Sequence, residues 1–165
     1  MLPRSRERDE PPRGALSALI PAGAVATILR KRNSRRNGEG GMMRTHRVLA
    51  VDDSVGVLTL IGTYLQGSEF VFAGSARDGK SAVDRYAKLK PDIVLLDIVM
   101  PEQGGPETLK QILAINPVAT VAMISSLAGD DVVHECTRLG AKSYLKKPFT
   151  KDGLLEFLRK LVGLQ

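Results

Sequence analysis

Three aspartates carry the strongest chemical signal in the sequence. Asp52 and Asp53 stand side by side in AVDDSVG (50–56), directly after an apolar run, and Asp97 closes a second run in VLLDIVMPE (94–102). Adjacent carboxylates repel. A pair of them at the end of a strand needs either a solvated turn, where Asp is a common cap and turn residue, or a cation. Two residues of complementary type close later runs: Ser125 in MISS (123–126) and Lys147 in SYLKKPF (143–149). This set suits phosphoryl chemistry. Carboxylates hold hard, oxygen-seeking cations, and Mg2+ fits a site of a few carboxylates, waters and a phosphate. A carboxylate can accept a phosphoryl group as an acyl phosphate. The metal and the Lys147 ammonium would offset charge during transfer, and the Ser125 hydroxyl could donate to a phosphoryl oxygen. Asp97, on the most central run, is the candidate acceptor.

Such residues act together only if the chain brings them to one place. From residue 46 onward, short apolar runs at 47–51, 69–73, 92–96, 119–124 and 142–145 alternate with segments of helical spacing. Leu58, Ile61 and Leu65 share one helical face; Ala82, Val83, Tyr86 and Ala87 a second; Leu109, Ile112 and Leu113 a third. Val132, Cys136 and Leu139 make a fourth face, and Leu154, Leu158 and Leu161 a fifth. Five βα units result. The central runs are almost continuously apolar, as expected of a parallel sheet covered on both faces. RDG at 77–79, LKP at 89–91, NP at 116–117, LG at 139–140 and KP at 147–148 supply turns. In a doubly wound α/β sheet, ligands gather outside the carboxyl ends of the strands, where all five candidate side chains are expected.

Residues 44 to 164 resemble the receiver domain of two-component response regulators, the CheY-like family. The matching motifs are VDD at 51–53, LLDIVMPEQGG at 95–105, MISS at 123–126 and SYLKKPF at 143–149. The resemblance implies a five-stranded doubly wound parallel sheet with the order 2-1-3-4-5 known for that family. It implies that Asp97 is the phosphoacceptor, and that Asp53, Asp97 and the backbone carbonyl of Val99 ligate Mg2+, with Asp52 holding it directly or through water. Ser125 and Lys147 would contact the phosphoryl group, Tyr144 would be the aromatic switch behind Ser125, and the Lys147–Pro148 bond would be cis. A histidine kinase would be the phosphodonor. A downstream protein would read the face of the fourth helix, fifth strand and fifth helix, either a flagellar switch protein in chemotaxis or a histidine phosphotransfer protein in a phosphorelay. MPEQGG departs from the family's usual MPxxDG at Gly104, and Ser126 replaces the more usual Ala.

Two other classes compete. A phosphatase with an Asp nucleophile would need a second Asp two residues later, where this chain has Val99. The expectation is therefore a phosphoacceptor and not an enzyme with turnover. A pseudo-receiver that never takes phosphate is disfavoured by the complete acidic set and Lys147.

Charge divides the chain unevenly. Residues 1–41 hold nine Lys and Arg against four Asp and Glu, whereas residues 42–165 hold fifteen against fourteen. The basic balance belongs to the front, so no nucleic-acid partner is expected for 42–165. The front also contains ALSALIPAGAVATIL (15–29), too short to span a bilayer comfortably, so no membrane partner is expected. We read 1–41 either as a disordered basic extension or as sequence upstream of a true start at Met42 or Met43, and 42–165 as the receiver-like domain. The fifth helix is expected to use up the chain, leaving no room for an output domain. The single Cys136 suits a reducing, cytoplasmic setting and reads as a small buried hydrophobe.

Overall fold

Short, almost continuously apolar strand segments and the recurrence of apolar residues every three to four positions between them produce five βα units. A computed structural model describes residues 45–126 and 130–164. The readings of 1–41 and of a start at Met42 or Met43 concern residues outside these. The strands are β1 (His46–Val51), β2 (Phe70–Ala76), β3 (Ile93–Asp97), β4 (Thr120–Ser125) and β5 (Ser143–Lys146). The helices are α1 (Val55–Leu65), α2 (Gly79–Leu89), α3 (Gly105–Ile115), α4 (Asp130–Leu139) and α5 (Lys151–Val162). All strand pairings are parallel, and the order is β2-β1-β3-β4-β5, as expected.

Successive strand residues face opposite sides of the sheet. Leu49, Val51, Val94, Leu96, Val121 and Met123 join one core layer with residues of α2, α3 and α4. Val48, Ala50, Ile93, Leu95, Ala122 and Ile124 join the other with residues of α1 and α5. Every residue of β3 is buried, which explains why its run is unbroken in apolar character until Asp97.

Local signals set the helix boundaries. Ser54, Asp78 and Thr150 cap α1, α2 and α5, each accepting a backbone N–H three residues on. Pro106 lies in the first turn of α3, where its missing N–H costs nothing. Gly163 ends α5 in the left-handed conformation.

Two local expectations change. The second strand runs on through Gly74, Ser75 and Ala76, past the end of its apolar run, because a register shift opposite Val48 and Leu49 leaves Ala73 unpaired and pairing then resumes at Gly74. Ala87 is exposed. It lies five residues beyond Ala82, well round the helix from the face that Ala82 and Tyr86 bury. Cys136 is buried, as expected. Among the described residues, no helix is long and apolar enough to cross a membrane.

Candidate functional site

The site begins where β1 runs out. Asp52 still follows the sheet, its N–H donating to the Ala76 carbonyl at 3.1 Å, and its side chain is fully buried. One Asp52 oxygen accepts the Ser54 N–H at 2.9 Å, which fixes the carboxylate against the entry of α1. Asp53, one residue on, turns outward and is exposed. The two neighbours thus divide between interior and surface.

Asp97 ends β3 and is 5% exposed. Its position depends on close backbone packing. The Ile98 N–H donates to the Ile124 carbonyl at 3.1 Å, and the Gly105 N–H returns to the Ile98 carbonyl at 2.9 Å. A Cβ at Gly105 would stand 2.4 Å from the Asp97 carbonyl oxygen and 2.8 Å from Ile98 Cα. Only glycine lets α3 begin this close to the strand end. Gly104, the family departure, caps α3 without a side-chain bond. The loop is tied from the other side as well. Gln103 Nε2 donates to Thr108 Oγ1 at 3.2 Å, and Thr108 Oγ1 donates to the Gly104 carbonyl at 2.9 Å.

Carboxylate oxygens of Asp52, Asp53 and Asp97 all lie within 4.8 Å of one another. Three hard oxygen donors at this spacing fit a divalent cation, so the residues present match the Mg2+ expected from the sequence. Val99 is 58% exposed.

Lys147 crosses the sheet's carboxyl edge to reach this group. Its ammonium donates to Asp52 Oδ2 and, at 3.0 Å, to Asp97 Oδ1. Burial works against the Lys147 charge, but the bonds to Asp52 and Asp97 outweigh it and hold its pKa above the ordinary lysine value. Asp97 behaves oppositely for a carboxylate beside a cation. Burial pushes its pKa up, the Lys147 contacts only partly offset this, and the Asp52 charge adds to the rise. One ammonium shared between two buried carboxylates leaves each incompletely compensated.

Ser125 ends β4 and is 1% exposed. Its carbonyl accepts the Lys147 N–H at 2.8 Å and the Tyr144 hydroxyl at 3.3 Å. Tyr144 is half-buried against the core layer that contains Met123 and Cys136. The Lys147–Pro148 peptide is cis, as the resemblance implied.

Asp52, Asp53, Asp97 and Lys147 therefore meet at one end of the sheet, with Ser125 at the neighbouring strand end and Tyr144 bonded to its carbonyl. Two features escaped that reading. Lys147 was assigned to a phosphoryl oxygen, whereas it also clamps Asp52, a partner no spacing rule reveals. Arg77, read only as part of a turn, donates from Nε to the Asp53 carbonyl at 3.2 Å.

Comparisons with known proteins bear on the sequence and the fold. The sequence model described as "Response regulator receiver domain" matches residues 48–159. "Protein CcdB" of Bacillus subtilis is 38% identical over 117 residues, covering 71% of this chain and 98% of that protein. "Chemotaxis protein CheY" of Listeria monocytogenes is 41% identical over 114 residues, covering 69% of this chain and 96% of that protein. Among solved structures, the CheX–CheY–BeF3–Mg2+ complex from Borrelia burgdorferi matches with TM-score 0.68 and 33% identity, over 73% of this chain and 90% of that one.

Proposed function

The chain belongs to the response regulator receiver family, and from that premise we propose that it is a phosphorylation-activated signalling protein of chemotaxis type whose phosphoacceptor is Asp97. The observation that carries this reading is the cluster itself: three carboxylates within 4.8 Å, with Lys147 bonded to two of them. A purely structural ion pair needs one carboxylate per cation. Two excess carboxylates at a strand edge are arranged for a ligand that brings positive charge and then phosphate.

In the proposed transfer, an Asp97 carboxylate oxygen attacks the phosphorus of a histidine kinase's phosphohistidine. A P–O bond forms, the P–N bond breaks, and the departing imidazole nitrogen takes up a proton. Lys147 stabilises charge on the phosphoryl oxygens, because its ammonium is held beside the Asp97 carboxylate. The Ser125 hydroxyl, at the end of the neighbouring strand β4, would donate to the same group. Asp53 and Asp97, with the Val99 carbonyl and with Asp52 behind them, would hold Mg2+, which supplies charge neutralisation when bound. The protein is the acceptor in this scheme and turns over no substrate beyond losing its own phosphate.

The signal leaves through β5. Lys147 follows directly on that strand, and Tyr144 on it bonds the Ser125 carbonyl. Movement of Ser125 and Lys147 toward a phosphoryl group would disturb Tyr144 and shift the α4–β5–α5 face, which a target protein reads in the cytoplasm. The chemotaxis names of relatives support a target in the chemotaxis system.

The test is to incubate the protein with acetyl phosphate and Mg2+ and weigh it intact. A single phosphoryl adduct is expected, absent in Asp97→Ala. No adduct in wild type, or an adduct that persists in Asp97→Ala, would overturn the assignment.

A further inference from the structure

The acidic site is flanked by a second cation that the reaction scheme leaves unused. Arg77 lies in the loop between β2 and α2, and β2 neighbours β1 in the sheet. The loop that carries Arg77 therefore stands beside the loop that carries Asp52 and Asp53. Arg77 is exposed, and its Nε donates to the Asp53 carbonyl at 3.2 Å. Lys147 enters from β5, at the opposite edge of the sheet. One cation is thus half-buried among the carboxylates, and the other stands at their rim on the far flank.

Nothing nearby in sequence neutralises Arg77. The adjacent Asp78 turns its carboxylate into α2, accepting the Ser81 N–H at 2.7 Å and the Ser81 hydroxyl at 2.8 Å. Only the Nε of Arg77 is engaged among the described residues, so its positive charge and terminal N–H donors stay open to an incoming anion. A phosphodonor arriving at this site carries negative charge toward three carboxylates. A fixed positive group at the entrance lowers that barrier and raises the local concentration of the donor.

Resting on the phosphoacceptor reading above, we propose that Arg77 is a positioning residue that draws the phosphoryl group of the donor to the rim of the site and orients it toward Asp97. The tie to the Asp53 carbonyl holds the guanidinium in place. The chemistry recognised is an anionic phosphoryl group, whether on a small acyl phosphate or on a phosphohistidine.

The experiment compares wild-type full chain with Arg77→Gln and Arg77→Lys. The rate of adduct formation from acetyl phosphate at saturating Mg2+ is read by intact mass at low and high salt, and melting temperatures verify folding. Arg77→Gln should be slower by about 3- to 10-fold at low ionic strength. The gap should fall to about 2-fold or less near 1 M salt, where the screening length is only about 3 Å. Arg77→Lys should recover most of the rate. Equal rates for wild type and Arg77→Gln at low salt would overturn the inference. So would a deficit independent of salt, or Arg77→Lys as slow as Arg77→Gln, because either would mean that the loop tie and not the charge is what matters. If wild type forms an adduct that requires Asp97 while Arg77→Gln is unimpaired, only the role of Arg77 falls. If wild type forms none, the phosphoacceptor reading falls and this inference with it.

Discussion

Asp53 is the exposed member of the acidic set; of the three carboxylates, Lys147 bonds only the other two. Mg2+ binding to the phosphate-free protein should therefore depend on it and should stabilise the fold by linkage. Millimolar Mg2+ should raise the melting temperature of wild type by several degrees and that of Asp53→Ala by much less; equal responses would refute its place in the metal site. Asp97 supplies a second residue-scale prediction. Its carboxyl, pushed above its ordinary value of 3.8 chiefly by burial, holds its proton more tightly in the fold than in the unfolded chain. Its ionisation therefore works against folding: stability falls as pH rises from the ordinary value through the raised one. In metal-free buffer, Asp97→Asn should melt a few degrees above wild type at pH 7. The gap should close as the buffer is acidified to 3.8 and below. A variant that melts lower than wild type at pH 7 would show that the Lys147 contact outweighs burial.

The elements place these residues through a few close contacts, and those contacts explain what the sequence did and did not disclose. Asp97 sits at its depth because α3 starts against the end of β3 with a glycine in between. Gly105→Ala should cost about 1–3 kcal/mol, since the methyl meets backbone atoms that cannot swing aside. It should also slow phosphorylation, because relief requires moving the Asp97 carbonyl. Chemical denaturation and adduct rate measure the two effects, and an unchanged midpoint would show that the loop can yield. The strands were legible because β1, β3 and β4 are buried on both faces, which forces continuous apolar runs. Their order came from resemblance and not from those runs. The continuation of β2 through Gly74 to Ala76 was not legible, since edge pairing by backbone leaves no apolar mark. The site was legible as residue types at strand ends, because a parallel sheet brings those ends together. The Lys147–Asp52 bond was not, since a lysine's reach across four neighbouring strands depends on rotamer and packing. Attention to Gly104 likewise missed that the contact demanding glycine lies at Gly105.

At the scale of the molecule, Lys147 joins the two halves of the sheet. It belongs to the connection after edge strand β5, yet its ammonium bonds Asp52 after β1 and Asp97 at the end of β3. Phosphate on Asp97 would compete for that ammonium and pull on β5, whose Tyr144 is bonded to Ser125. Lys147→Ala should still accept phosphate, more slowly, but should fail to pass the change to the α4–β5–α5 face. Amide hydrogen exchange should then show phosphorylation-dependent protection in β5 and α5 of wild type and little in the variant, and matching changes in both would contradict this route. All of it depends on where the phosphoryl group goes. An acyl phosphate is reduced by borohydride to the corresponding alcohol, which turns a phosphorylated aspartate into homoserine. Borohydride trapping after reaction with acetyl phosphate and Mg2+, followed by peptide mass mapping, reads the position directly. The account predicts homoserine at residue 97 and aspartate retained at 52 and 53; homoserine at 52 or 53, or none at 97, would contradict it.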